Sequence, residues 1–192
     1  NPCSQMVFFL KSILLMKFVR IFIRRRNMIH EVKGSLLETN CNYICHQVNC
    51  MGKMNSGIAK AIREKWPVVF KHYEELCESW YAWANAHYIQ EPEQHAASAM
   101  LGRVQLVQVT ENQTVINLFG QGTFGYDGKR YTSYDAFWMG LGEIRKCVPI
   151  GNTIAFPKNI GSCRGGANWN VIKTMIAEAL YDYDVYIYEL EE

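Results

Sequence analysis

The chain has 192 residues, of which 49% are hydrophobic and 20% charged, the composition of an ordinary globular domain with room for one sizeable core. Its net charge of +2 points by itself to neither a nucleic-acid binder nor a membrane-surface protein, and the lack of repeats or low-complexity tracts excludes solenoids and propellers. That small balance hides a split: residues 1–27 carry six basic side chains and no acidic one, a charge of +6, so that residues 28–192 carry −4.

The sequence therefore divides into a basic apolar arm, residues 1–27, and a body, residues 28–192. Within the arm, Met6 to Ile23 has twelve Val, Leu, Ile and Phe residues, which would favour membrane insertion by about 4 to 7 kcal/mol in all. Lys11, Lys17 and Arg20 oppose it by about 8 to 10 kcal/mol, so a spanning anchor is not expected. A cleaved leader is not expected either, because charge interrupts the apolar run and no small-residue cleavage pattern follows. Three readings of the arm stay open: an added edge strand over Lys17 to Arg26, a helix with Lys17, Arg20 and Arg24 as a basic stripe, or sequence upstream of the working domain. Only the first two give the arm a role, and nucleic acid or an anionic membrane would then be its partner.

In the body, Tyr43 to Asn49 (YICHQVN) reads as a strand that runs through a loop of small residues into a helix over Gly57 to Trp66. Pro67 closes that helix and opens the next, where Val69, Tyr73, Leu76 and Trp80 recur at helical spacing. Trp80 to Met100 is irregular and rich in Ala, His, Tyr and Gln, and reads as an exposed connection. Val104 to Val109 and Thr114 to Phe119 form an antiparallel hairpin turning at Glu111 and Asn112. Ser133 caps a helix from Tyr134 to Arg145, with Phe137, Leu141 and Ile144 on one face. A strand at Thr153 to Pro157, a Gly-rich loop, a helix from Asn168 to Leu180 and a strand from Asp184 to Leu190 complete the chain. Such alternation predicts an α/β fold of three layers, α/β/α, with a mixed central sheet whose ligand sits at the carboxyl ends of the strands.

Two loops there carry the chemistry. The first, Asn49 to Ala59, and the second, Asn159 to Trp169, each follow a strand and each open a helix, an arrangement that offers backbone N–H groups and a helix dipole to phosphate oxygens. Neither is a P-loop or a GxGxxG fingerprint, which removes support from kinase, GTPase and simple dehydrogenase readings. Seven cysteines without a Cys-x-x-Cys pair fit a reducing cytoplasmic setting, and no His/Cys/Asp cluster has metal-ligand spacing, so neither a metal nor another cofactor is expected.

The run VKGSLLETNCNYICHQVNCMGKMNSGIAKAI, the later VINLFGQ and the stretch AFPKNIGSCRGGANWNVI resemble the macro domain, in the branch that holds terminal ADP-ribose glycohydrolase and proteins that process ADP-ribose 1″-phosphate. The resemblance spans about Met28 to Leu190. It implies ADP-ribose as ligand, with Asn49, Asn55, Ser56, Gly57 and Ile58 on one side of the diphosphate and distal ribose and Ser162, Cys163, Arg164, Gly165 and Gly166 on the other. Asn49 becomes the tentative catalytic group at the distal ribose, its alternative role being a cap of the first loop.

Two departures from the family pattern shape the mechanism. Ser35 stands where the family usually has an Asp associated with adenine recognition, so the base is held without a charge-assisted bond. Gln121 and Gly165 stand where lysine-dependent hydrolases carry their Lys and Asp; an amide forms no Schiff base and glycine is no base, so that route is not expected. What remains is hydrolysis of ADP-ribose 1″-phosphate by a positioned water, or a non-catalytic reader of ADP-ribose or of ADP-ribosylated macromolecules, or a weak ADP-ribosyl hydrolase. His46 lies opposite Asn49 by strand alternation and is expected to be a packed, hydrogen-bonded histidine. Of Phe119, Phe124, Tyr126 and Tyr131, one or more is expected to cover the ligand.

Overall fold

A computed structural model describes residues 28–87 and 90–191; the basic arm and its three readings lie outside the described residues. Six strands form one sheet in the order β1-β6-β5-β2-β4-β3, where β1 is Met28–Lys33, β2 Tyr43–Asn49, β3 Val104–Thr110, β4 Gln113–Gln121, β5 Thr153–Pro157 and β6 Asp184–Glu189. Every neighbouring pair is parallel except the β3–β4 hairpin, so the sheet is mixed with one antiparallel edge. The helices are α1 Gly57–Lys65, α2 Pro67–Ala86, α3 Pro92–Met100, α4 Tyr134–Cys147 and α5 Trp169–Ala179.

Period-2 alternation sorts the strand residues into two cores. Ile44 and Val48 of β2 with Val115 and Phe119 of β4 face α1, α2 and α3, packing on Ile62, Val69, Tyr73, Cys77 and Met100. Cys45 of β2 with Ile116 and Leu118 of β4 face α4 and α5, packing on Phe137, Leu141, Ile144, Ile172 and Ile176. Three layers result, as the alternation of elements predicts.

Local chemistry sets the boundaries. The side chain of Ser133 accepts from the Ala136 N–H and that of Asn168 from the Asn170 N–H, capping α4 and α5, while Pro67 opens α2. The structure corrects the reading of Trp80 to Met100 as an exposed connection. Helix α2 runs on to Ala86, and α3 begins at Pro92 after Glu91, a left-handed residue with φ of 53°. Ala84, Ala96 and Met100 are buried there. Alanine faces small enough for close helix packing carry little hydrophobic periodicity, which is why the region reads as irregular. Strand β1, absent from the sequence reading, pairs in parallel with β6 from Met28↔Asp184 to Lys33↔Glu189.

His46 is fully buried on the α2 side of the sheet, as alternation requires. Its Nε2 lies 2.6 Å from Asn117 Oδ1, Asn117 Nδ2 donates to Gln105 Oε1 at 2.9 Å, and Gln105 Nε2 donates to the His72 carbonyl of α2 at 2.9 Å. A polar row thus crosses β2, β4 and β3 under α2. Burial pushes the His46 pKa down from 6.5 to about 4, the Asn117 contact opposing only part of that shift. A histidine with a folded pKa below its unfolded one takes up a proton on unfolding. Its stabilisation is whole above about pH 6.5 and is lost as pH falls toward 4. Denaturant titrations from pH 7 to 4 are expected to show a loss of about 3 kcal/mol assignable to His46. That part of the slope vanishes in His46→Gln; an unchanged slope would refute the assignment.

Candidate functional site

A cleft of about 310 Å³ opens at the carboxyl ends of the central strands. Gln47, Val48 and Asn49 of β2 and Gln121 of β4 form its floor. One wall is the first loop and the start of α1, through Lys53, Asn55, Ser56, Gly57, Ile58 and Ala59. The other runs from Pro157 through Lys158, Asn159, Ile160 and Gly161 to Cys163, Arg164 and Gly165. Phe124, Gly125 and Tyr126 stand at the mouth, Tyr126 being 79% exposed and so available to a ligand.

The first loop is held by groups that reach it from α2. Tyr73 is buried, and its hydroxyl lies 2.8 Å from both the carbonyl and Oδ1 of Asn49 while it accepts from the Lys53 N–H at 3.1 Å. Desolvation raises the Tyr73 pKa far above its ordinary value, so the hydroxyl keeps its proton and its donor role. Tyr81 donates to the Cys50 carbonyl at 2.9 Å, and the Cys50 N–H reaches the Gly122 carbonyl at 3.1 Å, tying the loop to the end of β4. Burial drives the Cys50 and Cys77 thiols up to about 12 and about 11, so both behave as inert core residues.

Asn49 is committed within this loop. Its Oδ1 accepts from the Met51 N–H at 2.8 Å and its Nδ2 donates to the Lys53 carbonyl at 2.7 Å, in addition to the Tyr73 contact. Gln121 is similarly tied, its Nε2 donating to the Thr123 carbonyl at 3.0 Å and its Oε1 accepting from Gln47 at 2.6 Å. The Asn55 side chain accepts from Arg63 at 2.8 Å. Ser56 precedes α1 without a side-chain bond to its first turn, unlike the caps of α4 and α5, and that first turn faces the cleft.

The second loop is held from the opposite direction. The Tyr131 and Thr132 N–H groups both donate to the Gly165 carbonyl at 2.9 Å, and Thr132 Oγ1 donates to the Gly161 carbonyl at 2.8 Å. A Cβ at position 165 would fall 2.1 Å from Thr132 Oγ1 and 2.4 Å from the Gly161 carbonyl oxygen. The second neighbour is backbone, so glycine is required at this position. Gln47 Nε2 donates to both Gln121 Oε1 and Thr132 Oγ1, at 2.6 and 2.8 Å, whereas its buried Oε1 meets no donor among the described residues. An unpaired buried acceptor of that kind costs about 1 to 3 kcal/mol.

The structure gathers Asn49, Asn55, Ser56, Gly57, Ile58, Gln121, Cys163, Arg164 and Gly165 on the cleft wall. Ser35, Ser162 and Gly166 stand outside it: Ser35 Oγ accepts from the Leu37 N–H in the turn after β1, and Ser162 Oγ reaches the Ile160 carbonyl at 3.4 Å. Of the aromatic candidates, Phe124 and Tyr126 reach the mouth, whereas Phe119 is a core residue against Tyr73, with ring centroids 5.8 Å apart. Arg164 lies over Tyr126, donating to its hydroxyl at 3.0 Å.

The sequence reading did not assign a role at the site to Gln47, Lys53, Lys158, Tyr73 or Thr132. Gln47 carried a usable signal, because period 2 places it on the same strand face as Asn49. The charged residues on the wall are Lys53, Lys158 and Arg164, and no Asp or Glu is among those lining the cleft, in a body whose net charge is −4. Lys158 is paired with Glu189 at 2.7 Å. Among the described residues, no group of three or more His, Cys, Asp or Glu side chains could hold a metal.

A mixed six-stranded sheet between two helical layers, in this strand order, is the macrodomain fold. The macrodomain of DarG from Mycobacterium tuberculosis superposes with a TM-score of 0.62 at 22% identity, covering 84% of this chain and 97% of that one. DarTG of Thermosipho africanus, solved in complex with ADP-ribose, matches with a TM-score of 0.61 at 16% identity, over 85% of this chain and 42% of that one. Among curated proteins, an ADP-ribose 1″-phosphate phosphatase of Aspergillus fumigatus is 32% identical over 80 residues. That match spans 38% of this chain and 39% of the phosphatase. No family model matches the chain.

Gly165→Ala is expected to destabilise the protein by about 1 to 3 kcal/mol, because the methyl group overlaps backbone that cannot rotate away. Chemical denaturation checks this, and a stability equal to that of the parent would show that the two loop segments separate freely.

Proposed function

We propose that this protein binds ADP-ribose in the cleft and hydrolyses ADP-ribose 1″-phosphate to ADP-ribose and phosphate. The observation that carries the reading is the charge of the wall: three cations, of which Lys158 is paired with Glu189, and no carboxylate among the lining residues, beside the uncapped first turn of α1, in an otherwise acidic body. A diphosphate between the two loops is the anion this arrangement suits, through N–H groups of the first loop and α1 on one side and Arg164 on the other. The curated relative and the ADP-ribose complex of a structural neighbour support the same ligand.

Hydrolysis needs water to attack the 1″ phosphorus as its bond to the ribose oxygen breaks, the proton passing to that oxygen and phosphate leaving. Lys53, Arg164 and loop amides would stabilise the charge that develops on the phosphoryl oxygens. Asn49 acts here through the shape of the first loop, since its amide is already bonded at both ends. A Schiff-base route has no amine at Gln121 and no acid at Gly165, and the contact of Thr132 with Gly165 keeps the second position small.

A second reading, a non-catalytic reader of ADP-ribose or of ADP-ribosylated macromolecules, is favoured by the commitment of Asn49 and Gln121 to their own loops. The two readings share the ligand and differ in turnover. Calorimetry on the full chain is expected to give saturable ADP-ribose binding, weakened about three- to tenfold by Lys53→Ala or Arg164→Ala, the loss of roughly 1 kcal/mol of exposed charge-assisted contact. Phosphate released from ADP-ribose 1″-phosphate supports the enzyme; binding without release supports the reader. Absence of ADP-ribose binding refutes both, and a borohydride-trapped covalent adduct refutes the exclusion of the Schiff-base route.

A further inference from the structure

Gln47 is the group whose placement neither core packing nor the loops themselves explain. Its amide nitrogen bonds to two side chains that belong to separate parts of the chain, Gln121 at the end of β4 and Thr132 just before α4. Thr132 passes the connection on through its hydroxyl to the Gly161 carbonyl, which also accepts from the Ala167 N–H at 3.1 Å. A single side chain of β2 is therefore linked to both ends of the segment between Gln121 and Thr132, and through Thr132 to the second loop.

The room for this arrangement is made by glycines. A Cβ at Gly120 would come within 2.5 Å of Gln47 Oε1, and one at Gly161 within 2.7 Å. Between them Oε1 is buried without a donor among the described residues. An apolar side chain of similar length would remove that unpaired acceptor but also the two donated bonds, so the gain and the loss in stability oppose each other and the arrangement is not explained by stability alone.

We propose that Gln47 is the positioning residue of the cleft, fixing through Thr132 the height of the second loop over the floor and so its grip on the ligand's phosphates. The proposal rests on the ADP-ribose reading for its ligand, and on hydrogen bonds of the ligand-free protein for its mechanism. Gln47→Met keeps length and bulk while removing both donors and the unpaired acceptor. Gly120→Ala leaves the residues of the cleft wall unchanged but places a methyl group against the Gln47 amide arm, and its backbone accepts alanine without strain.

The experiment measures, on the full chain, amide hydrogen exchange without ligand, thermal stability, and ADP-ribose affinity by calorimetry. In Gln47→Met the amides of Tyr131, Thr132 and Ala167, whose acceptors are the Gly165 and Gly161 carbonyls, are expected to exchange at least about tenfold faster. Amides of β5 and β6 keep their protection, the melting temperature shifts by only a few degrees, and ADP-ribose binds about tenfold more weakly. Gly120→Ala gives the same exchange pattern.

Unchanged exchange at those three amides in both variants overturns the proposal, as does a Gln47→Met protein that melts earlier yet binds ADP-ribose as the parent does. A Gln47→Met protein that does not fold overturns the claim that the residue serves the site instead of stability. If the parent itself does not bind ADP-ribose, the functional reading fails, while the exchange measurement still decides the role of Gln47.

Discussion

Strand β2 is buried on both faces, and that constraint governs where polar function can sit. From Tyr43 to His46 its side chains are divided between two cores, so a polar residue inside this span must find its partner within the sheet. His46 does so by bonding Asn117, which in turn bonds Gln105, and it is held neutral and does not line the cleft. Only the last positions of the strand, Gln47 to Asn49, come to the open edge of the sheet, where the parallel neighbours also end. A cleft at the strand ends follows from the burial of everything before it.

The two loops over that edge are restrained by different means. The first depends on side chains, with the Tyr73 and Tyr81 hydroxyls of α2 and the Asn49 amide reaching loop backbone. The second depends on close backbone approach, since the Gly165 carbonyl takes two N–H groups from residues 131 and 132 and the Thr132 hydroxyl occupies the space of the absent side chain. Loss of a hydroxyl in the first loop removes one bond and leaves its partner without a donor. Addition of a single carbon in the second displaces backbone. The second loop is therefore the less tolerant of substitution, although its sequence, rich in small residues, reads as the more permissive.

Strong periodicity made most of the architecture legible. The helix faces of α1, α4 and α5, the β3–β4 hairpin and strand β2 follow from residues whose spacing matches one structural period, such as Phe137, Leu141 and Ile144. The region around α3 was not legible, because Ala84 and Ala96 pack by being small, and smallness leaves no hydrophobic stripe to read. The two loops that wall the cleft could be located from strand-loop-helix order alone. Tyr73 and Thr132 could not, since each acts on a segment at least 20 residues away in sequence. Gln121 and Gly165 were recognisable as departures from a family pattern, but only the Thr132 and Gly161 contacts show that a side chain at position 165 would not fit.

Charge supplies the last step. A body of net charge −4 should repel a diphosphate at long range, and salt would shorten that repulsion to about 8 to 10 Å. Within the cleft the sign reverses, because the lining side chains are cationic or neutral and the first turn of α1 adds its unpaired N–H groups. Backbone amides alone would have served a neutral wall; the placement of Lys53, Lys158 and Arg164 gives attraction at the range over which a ligand is captured as well as at contact. Of these, Lys158 is already paired with Glu189 and Arg164 rests on Tyr126. A ligand that draws Arg164 inward must give it a better partner than a tyrosine ring and hydroxyl, and a phosphate does so by accepting two parallel N–H bonds where the tyrosine oxygen accepts one.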